Sequence, residues 1–171
     1  MNLQYPIGRF TKKEDYSSEE INEAVQTLAQ FPTLVKIEMI NLQKSEYSKT
    51  YRTGGWTIAQ IIHHLADSHM NAFIRTKLAL TEYNPIIKPY QEHLWATQAD
   101  YDWALSDTSL SLLEAVHTRW VSLLNAISPE EWTRKYYHPD MSEYFNIKQI
   151  VMLYKWHGLH HLEHIKIAKC T

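Results

Sequence analysis

Seven of the ten histidines in this 171-residue chain fall in two short windows, residues 63–69 and 157–164. Fifteen residues of average composition would hold about one. The second window reads Trp156-His157-Gly158-Leu159-His160-His161-Leu162-Glu163-His164. Neutral imidazole is a common ligand for divalent transition metals. Residues four apart on a helix are neighbours, so His157/His161 and His160/His164 each have the spacing to grip one ion. At 100° per residue all four fit within a sector of about 100°.

A catalytic zinc-type centre takes three protein ligands and keeps one position open. The first window offers His63, His64 and His69. His64 shares a stripe with Ser68, Asn71 and Arg75, polar residues within a largely apolar pattern. An unpartnered buried polar group costs about 1–3 kcal/mol, and a metal with its substrate would supply the partners. His63 lies about 100° round the helix, at the flank.

Three chemistries suit such a centre. A thiol with pKa ~8.5 is mostly protonated at neutral pH, and coordination to a dication deprotonates it. Alternatively, bound water is brought toward a pKa of ~7 and becomes a hydrolytic nucleophile. No HExxH motif is present to pair that water with a base, and Glu163 lies outside the histidine pairs. In the third case the site is closed by a fourth ligand, His160 or His164, and is purely structural. Asn71 and Arg75 are the candidates for binding an anionic cosubstrate. Asp67 or Glu163 is a candidate acceptor for a ligand's second ring N–H. Cys170, terminal and alone, is a poor nucleophile candidate and excludes an intrachain disulfide.

The elements that must position these residues read as helices. Ser17 with Glu20 is a capping box. Ile21, Val25, Leu28 and Phe31 follow at helical spacing, and Pro32 predicts a break or kink before a restart through Leu34, Ile37 and Ile40. Thr57 with Gln60 opens a helix to about Thr81. Another fits Thr108–Ile127, and Asn146 with Gln149 caps the last, to about Lys169. Residues 1–16 and 134–145 read as irregular. Trp120 belongs to an apolar stripe, whereas Trp95 and Trp103 are candidates to line a substrate mouth. The Tyr137-His138-Pro139 segment is a candidate loop over the site. One all-α domain spanning residues 1–171, a four-helix bundle with long connections at 82–107 and 128–145, is the expected architecture.

The stretch Tyr51-Arg52-Thr53-Gly54-Gly55-Trp56-Thr57 and the string His63-His64-Leu65-Ala66-Asp67-Ser68-His69-Met70-Asn71 resemble the YfiT-type branch of the DinB superfamily. The resemblance continues through Tyr5-Pro6-Ile7-Gly8, Ile74-Arg75, Lys88-Pro89-Tyr90, Tyr136-Tyr137-His138-Pro139 and Trp156 to His164, and so covers nearly the whole chain. It implies a four-helix bundle of unusual connectivity, a homodimer, and one divalent ion per chain, zinc or nickel, held by three histidines. The family's first ligand lies eight residues past the tryptophan that opens the second helix, which here is His64. Its His-x-x-His-His pattern falls on His157, His160 and His161, implying His157 and His161 as the other two. His160/His164 keeps the same spacing. Members of the branch were first called metal-dependent hydrolases, and related members are similar to bacillithiol S-transferases, which join a small-molecule thiol to an electrophile. A metal-dependent thiol transferase is therefore the first reading and a hydrolase the second.

A formal net charge of -2 lacks the excess of Lys and Arg that dominates nucleic-acid affinity. No apolar run approaches the ~20 residues of a bilayer span, and the first residues lack the pattern of a signal peptide. The expectation is a cytoplasmic protein acting on small molecules, with neither nucleic acid nor membrane as partner.

Overall fold

The structure, a computed structural model, describes residues 2–171. Its elements in chain order are α1 (Ser18–Met39), α2 (Ile58–Thr81), the short α3 (Glu92–Trp95), α4 (Ser106–Leu124), strands β1 (Lys135–His138) and β2 (Glu143–Asn146), and α5 (Ile147–Lys169). Three of the four long helices open on the capping boxes that the sequence announces, at Ser17/Glu20, Thr57/Gln60 and Asn146/Gln149. In each, the cap side chain accepts the N3 amide while the N3 side chain accepts the cap's own amide, so two donors without helical partners are satisfied at once.

Helix α1 packs on α4 and α5, and α2 packs on the same two. The order round the bundle is therefore α1–α4–α2–α5. Sequence neighbours α1 and α2 are diagonal, as are α4 and α5. A simple up-down bundle with short loops places sequential helices side by side. The diagonal steps here need the longer connections that residues 40–57 and 125–146 provide.

The buried apolar residues form two clusters. One gathers Leu28, Ala72, Trp120 and Tyr154. The other gathers Phe31, Leu65, Leu113 and Leu162. Helices α1 and α5 run from the first cluster to the second, and α2 and α4 run the opposite way. Between the clusters, at mid-length of the bundle, the buried residues are polar: His64, Ser68, His69, His117 and His161. The core is thus two apolar blocks separated by a histidine layer.

Two features differ from the sequence reading. Helix α1 continues unbroken through Pro32. Proline has no amide to give to the carbonyl four residues earlier, and that carbonyl, Leu28 O, instead accepts His117 Nδ1–H at 2.6 Å. The replacement partner offsets the missing helical bond. Residues 134–145 are not irregular but carry an antiparallel hairpin, with Tyr136 opposite Phe145 and both buried. Its turn uses Ser142 at φ 52°, a left-handed position filled without glycine.

One glycine has a packing reason. A Cβ on Gly158 would lie 2.9 Å from Phe31 Cε2. The missing side chain lets α5 close on α1 beside the histidine layer.

Candidate metal centre

His64 comes from α2, and His157 and His161 from successive turns of α5. Because α2 and α5 are adjacent in the bundle, one ring nitrogen from each lies within 4.8 Å of the others. His64 Nε2 and His157 Nε2 are 3.1 Å apart. The ring centroid of His161 is 4.9 Å from that of His64 and 4.7 Å from that of His157. Zinc–imidazole bonds of ~2.0–2.1 Å at a tetrahedral angle place ligand nitrogens about 3.3 Å apart, so the spacing fits a shared ion.

The outward nitrogens of these rings are engaged. His157 Nδ1 meets His69 Nε2 at 3.2 Å, and His64 Nδ1 meets the Tyr90 hydroxyl at 3.3 Å. His161 Nδ1 faces His164 Nδ1 at 3.3 Å. His164 Nε2–H donates to the Leu3 carbonyl at 3.1 Å, so its Nδ1 is free to accept from His161.

His160, His161 and His164 form a second group of comparable closeness, with His161 common to both. It is the pair His157/His161, not His160/His164, that meets His64. His160 instead stacks on Trp156, with centroids 4.6 Å apart, and its buried Nδ1 has no hydrogen-bond partner.

Burial keeps these imidazoles neutral. Desolvation first, and then the neighbouring His160, pull the His64 pKa down to about 3. His157 and His161 are held well below the usual histidine value, first by desolvation and then by the surrounding rings. Neutral imidazole is the ligand form, so the donor set is ready at neutral pH without losing protons.

The cluster opens on a cavity of about 490 Å³ whose other walls include Tyr5, Arg52, Trp56, Ser68, Tyr90 and Trp156. Arg52 is the one Lys or Arg among the described lining residues, and Glu92 is the one carboxylate. The buried Nε of Arg52 has no partner, while one Nη donates to Thr53 O at 3.1 Å. No carboxylate is hydrogen-bonded to His64, His157 or His161 among the described residues.

Several candidates from the sequence lie elsewhere. Asn71 donates to Asp67 O at 2.9 Å and lines a different cavity, beside Lys88 and Trp95. Arg75 is buried and reaches Lys88 O at 3.4 Å. Both share His64's helical stripe, but a rise of 1.5 Å per residue carries them about 10 and 16 Å further along the axis. Asp67 accepts the Tyr101 hydroxyl at 2.7 Å, and Glu163 pairs with Lys166. The second nitrogens of His64, His157 and His161 are met by other histidines and Tyr90, not by acids. His63 bonds Ser109 and Asp102 O on the flank. Trp95 and Trp103 line separate surface cavities, and Trp56 and Trp156 line this one. His138 sits on β1, outside the walls of this cavity.

Sequence reasoning did not single out His117. The available signal was a histidine at the i+4 position from Leu113 and three before Trp120, inside the apolar stripe of α4.

The DinB superfamily profile matches residues 19–165. The chain belongs to the DinB superfamily. A protein of Oceanobacillus iheyensis named "Putative metal-dependent hydrolase" is 48% identical over 165 residues, covering 96% of this chain and 95% of that one. YfiT of Bacillus subtilis, which carries the same description, is 41% identical over 165 residues, covering 96% and 93%. The solved structure of Bacillus subtilis YfiT, titled as having an unusual four-helix bundle topology, superposes with a TM-score of 0.94 over 97% of this chain and 95% of that one. The α1–α4–α2–α5 order is therefore the form that this DinB-superfamily bundle takes here.

Proposed function

We propose that the chain is a metal-dependent transferase that joins a small-molecule thiol of the bacillithiol type to an electrophile. The observation that carries this reading is the donor set. Three neutral imidazoles converge at the floor of an open cavity, no acid touches them, and a single guanidinium stands in the wall.

His64, His157 and His161 would hold one divalent ion per chain, zinc or nickel, and that ion would supply the positive charge that favours thiolate over thiol. Neutral ligands leave that charge undiminished. Arg52, with an unpartnered Nε, binds an anionic group of the thiol cosubstrate and directs its sulfur toward the histidines. Trp56, Tyr90 and Trp156 give apolar walls for the electrophile and exclude water from it. The thiol proton leaves through the open mouth to solvent. A carbon–sulfur bond forms on the electrophile as its leaving group departs with the electron pair of the broken bond. In this reading Arg52 replaces Asn71 and Arg75 as the anion-binding residue.

The names of the relatives favour a second reading, hydrolysis. Glu92 is the carboxylate available in the wall to act as base for it. The protein is proposed to act in the cytoplasm as a homodimer, which sedimentation at working concentration checks.

The test is a paired assay on the zinc- and nickel-loaded protein. Conjugation of bacillithiol to monochlorobimane is compared with hydrolysis of p-nitrophenyl acetate, with and without chelator. Chelator-sensitive conjugation, lost in R52A through a raised KM for the thiol, supports transfer. Hydrolysis alone, lost in E92Q, overturns it.

A further inference from the structure

The histidine layer contains two rings that the proposed chemistry does not use. His69 is 0% and His117 1% exposed. No carboxylate is hydrogen-bonded to either among the described residues. Burying two such rings without partners would cost about 1–3 kcal/mol for each unsatisfied group. They are instead joined in one line. His117 Nδ1 lies 2.6 Å from Leu28 O, His117 Nε2 lies 2.8 Å from His69 Nδ1, and His69 Nε2 lies 3.2 Å from His157 Nδ1.

The direction of every bond follows from its end. A carbonyl oxygen only accepts, so His117 carries its proton on Nδ1. A neutral imidazole has one N–H, so His117 Nε2 is an acceptor and the donor at 2.8 Å is His69 Nδ1–H. His69 Nε2 is then bare, and the donor at 3.2 Å is His157 Nδ1–H. The last ring is left with a lone pair on Nε2, the nitrogen that faces His64 Nε2 at 3.1 Å. The line visits α1, α4, α2 and α5, the order of the helices round the bundle.

We infer that His117 and His69 are positioning residues, and that with the Leu28 carbonyl they form a one-way hydrogen-bond chain that fixes which nitrogen His157 offers to the centre. Pro32 belongs to the same device. An ordinary residue at position 32 would donate its amide to Leu28 O within the helix, whereas proline leaves that oxygen for His117. Phe31 packs against both rings. It stacks on His69 with centroids 5.3 Å apart and 10° between planes, and lies 5.6 Å from His117. The chain does not export protons, because its far end is a carbonyl that has no proton to give and does not take one up. Its effects are to orient the His157 ring and to push electron density toward its free nitrogen, as a hydrogen-bonded partner behind a ligand does.

This inference rests on the reading of His64, His157 and His161 as ligands, and its test separates the two. Long-range proton–nitrogen correlation spectra of the metal-free wild-type chain, with histidine labelled in the ring, read each tautomer directly. All three of His117, His69 and His157 are expected to carry the proton on Nδ1. Zinc affinity by competition with a chromophoric chelator is then measured for H69L and H69Q. The glutamine amide carries both an acceptor oxygen and N–H donors, so it can replace the two bonds of the ring. H69L is expected to lose about 10–100-fold in affinity and to show the His157 proton moved to Nε2, while H69Q holds zinc near the wild-type level with His157 unchanged. A proton on Nε2 of His117 or His69 in the wild-type chain overturns the inference even if H69L does not fold. Wild-type zinc affinity in a folded H69L also overturns it. Three Nδ1–H tautomers in a chain that binds no zinc uphold the hydrogen-bond chain and remove the metal reading. Tight zinc with reversed tautomers does the opposite.

Discussion

Three imidazoles whose nitrogens lie within 4.8 Å make the first prediction a matter of ligand count. H64A, H157A and H161A should each lose stoichiometric zinc or nickel by elemental analysis while far-UV dichroism stays helical. H164A should keep the metal with weaker affinity, because His164 accepts from His161 rather than facing His64. Metal lost from H164A but retained in H161A would transfer the site to the other pair. Acid acts on the same layer through His117. Burial depresses its pKa to about 4, against the opposing effect of the Leu28 carbonyl. The unfolded chain, with histidine near ~6.5, binds that proton earlier than the folded one does. Below the unfolded value the unfolded state therefore holds more protons, and stability falls with pH. In metal-free protein this contribution is complete above about pH 6.5 and is lost progressively toward pH 4. Urea midpoints across that range should decline in the wild type and decline less in H117F if it folds. Equal slopes would show that His117 titrates alike in both states.

At the scale of elements, Gly158 sets the distance between α1 and α5. Alanine there gains about 1 kcal/mol of helix propensity, but its Cβ would lie 2.9 Å from Cε2 and 3.0 Å from Cζ of Phe31. Phe31 is 1% exposed and stacked on His69, so it cannot swing aside freely. Overpacking of this kind costs about 1–3 kcal/mol and should outweigh the propensity gain. G158A is expected to be less stable than wild type by up to about 2 kcal/mol in urea, the difference of those two magnitudes. An increase in midpoint would mean that the helices separate at little cost. How far the sequence could be read follows the same division between local and tertiary causes. The capping boxes at Ser17, Thr57 and Asn146 are local, and all three were legible. So were the gathering of histidines and the family strings around Trp56 and His64. Continuity of α1 through Pro32 was not, because the bond that replaces the missing one comes from His117, 89 residues away. The hairpin was hidden because its strands are four residues long and their buried pair, Tyr136 and Phe145, is too short a pattern to show alternation. Asn71 and Arg75 share the stripe of His64 but not its cavity, because an angular stripe records azimuth and not distance along the axis.

For the whole molecule, the α1–α4–α2–α5 order makes the centre a clasp between helices that are far apart in sequence. His64 and His157 are separated by 93 residues and by the entire α4 segment. Unfolding either α2 or α5 destroys the donor set, so an ion held there stabilises only the folded bundle. By mass action, free metal at a hundredfold excess over Kd adds about 2.7 kcal/mol. For a chain of this size each kcal/mol moves Tm by about 2–4 °C, so zinc loading should raise Tm by about 5–11 °C at that excess. The whole transition should move as one in calorimetry, since the clasp sits at mid-length between the two apolar clusters and joins their fates. Chelator should reverse the shift, and H64A should show none. A metal-induced shift that survives in H64A would place the ion on a single helix. A transition that splits on loading, with one part unmoved, would show that the two apolar blocks unfold independently and that the histidine layer does not couple them.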